Sequence, residues 1–218
     1  MARRTDELCV FCNAAPGNTS DHVIARSFFT KPMPNVVATV PACDTCQAAK
    51  AIDETRFRDL LVLDPMTARN PFARELRARA VSRSAMRGSS QIIKEALTRG
   101  RPDPNPPLHP DGIPLIVDIE MDIAIRTLTR IAYGLYYQIM KRQRLPADLD
   151  VQVGRVIDGH VGEVWEARIK SCLNKPFGYP RMFDGLIDVG PTPGQSRWLM
   201  RFYEGVAFSV ETKPGVAI

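Results

Sequence analysis

Four of the chain's five cysteines fall into two pairs of identical spacing, CVFC at residues 9–12 and CDTC at residues 43–46. Two thiolates separated by two residues can grip one metal ion from a single turn. Two such pairs, Cys9 with Cys12 and Cys43 with Cys46, make the donor set of a tetrahedral four-sulfur zinc site, with bonds of about 2.3 Å. A redox dithiol would need only one pair, beside a βαβ pattern that this sequence does not show. Thirty residues separate the two pairs. That is longer than a simple zinc ribbon needs, so the zinc knuckles hold something substantial between them.

The segment between them carries Asp21 and His22, and the chain has only three histidines. A carboxylate and an imidazole are the groups that phosphodiester hydrolysis needs most. The first binds a divalent ion, and the second, with an ordinary pKa near 6.5, takes a proton from attacking water. On a strand, neighbouring side chains point to opposite faces. The two therefore serve one site only where the strand ends or bulges, or where the histidine reaches round. The plainer alternative is an aspartate capping a turn beside a packed or surface histidine.

These residues must be positioned by the rest of the chain. Its 218 residues and 44% hydrophobic content describe an ordinary folded protein. The polar start, MARRTDEL, has no apolar core of a signal sequence, and no apolar run of about 18 residues is present. The expectation is a cytoplasmic protein with reduced or metal-bound thiols. The fold class expected is α+β, with an N-terminal zinc module over residues 1–64 and a larger helical and antiparallel-strand region over residues 65–218. Helices are expected at residues 67–99 and 118–143, the second with Ile123, Leu128, Ile131, Leu135 and Ile139 on one apolar face and Pro146 as its stop. In the helix after Cys46, Ile52, Phe57, Leu60 and Leu61 are expected to face inward. A segment with six prolines at residues 100–114 reads as an extended connector. Strands are expected near residues 185–189 and, once or twice, within residues 197–213. Residues 149–172 are ambiguous.

Charge is unevenly placed. Between Met66 and Arg101 stand nine basic residues and two acids. Such a stretch attracts polyanions by counterion release, although a solvated arginine-rich helix face would look the same. His109, His160 and Cys172 have no partners in sequence and read as exposed or structural. Tyr133, Tyr136 and Tyr137 read as packing residues.

The order CxxC, DHV, an asparagine, then CxxC opening a helix resembles the HNH endonucleases, whose ββα-metal fold, treble-clef-like, is stapled by a four-cysteine zinc. The resemblance covers residues 6–60. It implies that His22 is the general base, that Asp21 holds a catalytic Mg2+ or Mn2+, and that Asn35 ties the loop between the strands and orients His22. Residue 47 would be the last ligand of that ion, and Lys50 would contact a phosphate. The substrate implied is nucleic acid, expected to be double-stranded DNA, cut to 5′-phosphate and 3′-hydroxyl ends. Arg69, Arg74, Arg77, Arg83 and Arg87 would hold the backbone. One such site cuts one strand, so a double-strand break implies a homodimer or two encounters.

The sequence departs from that family at Gln47, where relatives carry Asn or His. Gln47 ligates on a longer stem, or stands by while water fills the position, or marks a silent site on a zinc protein that binds DNA or a protein partner. Glu54, one turn beyond Lys50, is expected to pair with Lys50 and Arg58 rather than reach the site.

Overall fold

Helix α1 (Asp44–Leu63) changes character along its length, and that change organises the fold. Its first half is polar. Its last turns bury Phe57, Leu60, Leu61, Val62 and Leu63. Burial on every side means that the helix drives end-on into the core instead of laying one face against it. Ile52, expected on the inward face, is instead 73% exposed. Five residues at about 100° each carry it well round the helix from Phe57.

The structure is a computed structural model that describes residues 7–87, 101–102, 115–116, 120–146, 149–156 and 177–215. It is α+β. After a first knuckle, β1 (Thr19–His22) pairs antiparallel with β2 (Thr39–Ala42), setting Asp21 opposite Val40 and His22 opposite Thr39. Helix α1 follows β2 after Cys43 alone. Asp64 ends α1, its carboxylate accepting the Met66 N–H at 2.9 Å. Asn70 then caps α2 (Pro71–Arg87), its Oδ1 accepting from the backbone N–H groups of Phe72 and Ala73, with proline at the first helical position. The expected helix at residues 67–99 is thus α2 as far as residue 87, and the remainder lies outside the described residues.

Two short strands, β3 (Arg101–Pro102) and β4 (Leu115–Ile116), pair antiparallel and bring the ends of the proline-rich segment together. His109 lies outside the described residues. Helix α3 (Met121–Ile139) buries Ile123, Leu128, Ile131 and Leu135 as its period requires, and also Tyr133, Tyr136 and Tyr137. Ile139, at its end, emerges. The stop comes before Pro146. Lys141 and Arg142 turn left-handed, at φ 50° and 74°, and the Arg142 N–H closes on the Tyr137 carbonyl at 2.8 Å.

The C-terminal half supplies a five-stranded antiparallel sheet in the order β5 (Leu149–Val156), β9 (Val206–Pro214), β8 (Ser196–Phe202), β7 (Phe183–Val189), β6 (Phe177–Tyr179). The ambiguous segment therefore opens with a strand, while its later part, with His160 and Cys172, lies outside the described residues. The expected tail strands are β8 and β9. Trp198, Met200, Phe202, Val206, Phe208 and Val210 alternate onto the inner face. Their turn puts Tyr203 and Glu204 at φ 49° and 59°. Gly205 completes it because the Met66 carbonyl oxygen comes within 2.1 Å of where a Cβ would stand.

One hydrophobic cluster runs from Val10 and Val23 through Phe57 to Trp198 and Val210. The first 64 residues share this core with the sheet. Phe57 sits at the junction, its ring 5.6 Å from Phe202, 5.5 Å from Phe208 and 6.3 Å from Phe28. No helix among the described residues is long and apolar enough to cross a membrane. Phe57→Ala is expected to cost about 3–5 kcal/mol of stability. Far-ultraviolet circular dichroism and tryptophan fluorescence should then report one common urea transition moved to lower denaturant. Separate transitions would contradict the shared core.

Candidate functional site

The four cysteines converge. The Sγ atoms of Cys9, Cys12, Cys43 and Cys46 all lie within 4.8 Å of one another, the span that a tetrahedral zinc ion with four thiolates fills. Among the described residues this is the one group of three or more His, Cys, Asp or Glu side chains so arranged. Cys43 is the N-cap of α1, and its sulfur accepts the Cys46 N–H at 3.5 Å. The first knuckle turns at Asn13, whose φ is 53°, with the Cys9 N–H bonded to the Ala15 carbonyl at 2.8 Å. The backbone N–H groups of Ala15 and Ala14 hold the Cys12 thiol down to about 7. Burial pushes the Cys9 and Cys46 thiols up. Four sulfurs crowded in this way, two of them desolvated, are resolved by a dication that accepts them as thiolates.

The end of α3 clamps this knuckle from outside. The Tyr137 hydroxyl donates to Glu7 at 2.8 Å, Arg144 donates to the Leu8 carbonyl at 3.0 Å, and the Asn13 side-chain amide donates to the Leu145 carbonyl at 2.9 Å. None of these partners is legible by spacing, because they stand about 130 residues from the knuckle.

Asp21 and His22 are the last two residues of β1. Asp21 is buried, and its Oδ1 accepts the His22 backbone N–H at 2.8 Å. Its Oδ2 lies 3.0 Å from the Lys50 ammonium. That ammonium also lies 2.7 Å from Glu54 Oε1 and donates to the His22 carbonyl at 2.6 Å, with the Phe11 ring 5.6 Å away. Burial pushes the Glu54 carboxyl up to about 7, against the pull of Lys50. His22 is half-buried, and its Nε2 accepts from Arg26 Nε at 3.3 Å. Burial, and then the Arg26 charge, push its pKa below the ordinary value, so at neutral pH the imidazole is uncharged with a lone pair.

Other candidates are placed differently. Lys50 is 1% exposed and bound inward, so it presents no charge to a phosphate at the surface. Its expected i,i+4 pair with Glu54 is present and buried. Arg58 bonds Asp59 instead of Glu54. Asn35 is exposed in the β1–β2 loop, and among the described residues no hydrogen bond joins it to His22. Arg26 makes that contact. The only signal for it in the sequence is its place four residues on from His22. Gln47 is half-buried on the first turn of α1, with its N–H on the Cys43 carbonyl at 3.0 Å, and no hydrogen bond or ion pair joins its side chain to Asp21. Arg69 and Arg74 are exposed. Arg77 is buried and donates to the Val62 carbonyl at 2.9 Å, which removes it from any outward binding face. Arg83 and Arg87 lie on α2, with side chains outside the described residues. Comparison with protein-family models, curated proteins and solved structures returns no match.

The protein should bind one zinc ion per chain by plasma mass spectrometry. Cys43→Ser should lose it and melt at lower temperature, whereas His22→Ala should keep both metal and melting point. The Glu54 carboxyl is raised above its ordinary value, so the folded state holds a proton more tightly than the unfolded one. Its contribution to stability is complete below about pH 4.5 and is lost as pH rises through about 7. Urea midpoints between pH 5 and 8 should fall more steeply in the wild type than in Glu54→Gln; parallel curves would contradict this.

Proposed function

We propose that this chain is a zinc-stapled HNH-type nuclease that hydrolyses nucleic-acid phosphodiesters. One observation carries the reading: a β-hairpin and helix in the order β1, β2, α1, with Asp21 and His22 at the end of β1 and the start of α1 fixed by the four-cysteine cluster.

In this reading, His22 takes a proton from water at Nε2, the nitrogen that carries its lone pair. Arg26, exposed and bonded to that nitrogen, must first move aside, and an approaching phosphate attracts its guanidinium. Asp21 and Gln47 offer oxygen donors of the kind a divalent ion accepts. Asp21 Oδ2, which has no aligned hydrogen bond, suits such a ligand, although Lys50 shares that oxygen. When bound there, Mg2+ or Mn2+ supplies positive charge to the leaving 3′-oxygen. Arg69 and Arg74 hold the sugar–phosphate backbone, with double-stranded DNA the preferred substrate.

A second reading rests on Lys50 and Gln47. An ammonium already neutralises the carboxylate, and glutamine stands where the family carries Asn or His. That combination fits a zinc protein that binds DNA or a partner without cutting. Cleavage of supercoiled plasmid in Mg2+ or Mn2+ separates the two. Nicking by wild type that drops at least about a hundredfold in His22→Ala, the usual contribution of a general base, supports the nuclease. Silence from wild type, His22→Ala and Gln47→Asn alike, with DNA still retained in a gel-shift assay, favours the binding protein.

A further inference from the structure

The Lys50 ammonium is shut from water and faced by three oxygens: Asp21 Oδ2 at 3.0 Å, Glu54 Oε1 at 2.7 Å and the His22 carbonyl at 2.6 Å. Two carboxylates and a backbone carbonyl are also the hard-oxygen ligand set of a divalent cation. Here Lys50 fills a cage, with its nitrogen 2.6–3.0 Å from all three oxygens, as expected of a compact charge placed centrally instead of a donor aimed at one acceptor.

We infer that Lys50 is a resident cation of the Asp21 corner, holding it in shape without metal, and that a divalent ion binds at Asp21 only against the Lys50 charge. Glu54 sets the balance. It shares the ammonium, and so leaves Asp21 Oδ2 partly available. Lys50 is thereby a positioning residue, not a phosphate ligand. The consequence is a site that stays empty of divalent ion until the free concentration is high. The inference rests on the reading of Asp21 as the carboxylate on the metal side.

The test is Mn2+ binding to the full, zinc-loaded chain, followed by the paramagnetic resonance signal of the free ion. Mn2+ sits low in the affinity order for nitrogen and sulfur sites, so the cysteine cluster keeps its zinc. Lys50→Met should bind Mn2+ at least about tenfold more tightly than wild type, because a like charge next to the ligand oxygen is gone. Lys50→Met/Glu54→Gln leaves no unpaired carboxylate at residue 54 and serves if the single variant fails to fold. It too should bind more tightly than wild type. Glu54→Gln, with the ammonium left to Asp21 alone, should bind more weakly. A purely structural lysine would lower the melting temperature without moving Mn2+ affinity. Equal affinity in wild type and both Lys50 variants, with binding lost in Asp21→Asn, would overturn the inference while sparing Asp21 as a ligand. Binding unchanged in Asp21→Asn would overturn both.

Discussion

Residues 7–18 contain neither helix nor named strand, only a bridge between Leu8 and Pro16. A segment of that kind has no ladder of its own to hold it. The four-sulfur convergence sets the first knuckle against the N-terminus of α1, and hydrogen bonds from Tyr137, Arg144 and Asn13, with that of the Val10 N–H to the Pro41 carbonyl, hold it there. Everything near the candidate site inherits that constraint. The start of α1 sets Lys50 and Glu54 relative to β1, and the end of α1 carries Phe57 and the leucines into the core. A dication bound among the thiols would therefore act on the position of a helix 20 residues long, and through it on the sheet beyond.

Charge is arranged in the opposite manner to the sulfurs. The thiols are neutral or anionic groups with no cation from the described residues among them, and four such sulfurs suit a dication. The Asp21–Lys50–Glu54 set carries its own. Removing three ionisable groups from water is costly unless their charges are matched and their remaining lone pairs satisfied. Here the match is incomplete: two carboxylates face one ammonium. The Glu54 carboxyl responds by holding its proton more tightly, which lets the set approach neutrality without a second cation. His22 stands at the edge of this arrangement, its carbonyl spent on Lys50 and its ring lone pair on Arg26. Its backbone belongs to the buried set, and its side chain to the surface.

Much of this is legible in the residues. The doubled CxxC spacing points to the sulfur cluster, because ligand geometry is local to each turn. The period of α3 and the alternation of β8 and β9 mark those elements, because one buried face imposes a repeat. The illegible part is of two kinds. Pattern alone misplaces Ile52 and Lys50, because it assigns a helix face but not what packs on it. The apolar Ile52 faces outward, and the charged Lys50 is among the most buried side chains. The clamps from α3, Arg26 on His22, and Tyr203 are invisible for another reason. Each depends on where distant backbone arrives, and Tyr203 reaches the Phe28 carbonyl across 175 positions.

The four clustered sulfurs stand within the first 46 residues, whereas the groups that clamp the knuckle come from residues 137–145. Chains are made from the N-terminus, and the early part emerges before the late part exists. The thiols can therefore enclose an ion over a loop of modest length, at modest entropic cost, while α3 and the sheet are still unmade. The later residues can then fold onto a knuckle whose four thiols are already gathered, and complete the core that both parts share. In this chain the order of manufacture and the hierarchy of constraint run the same way.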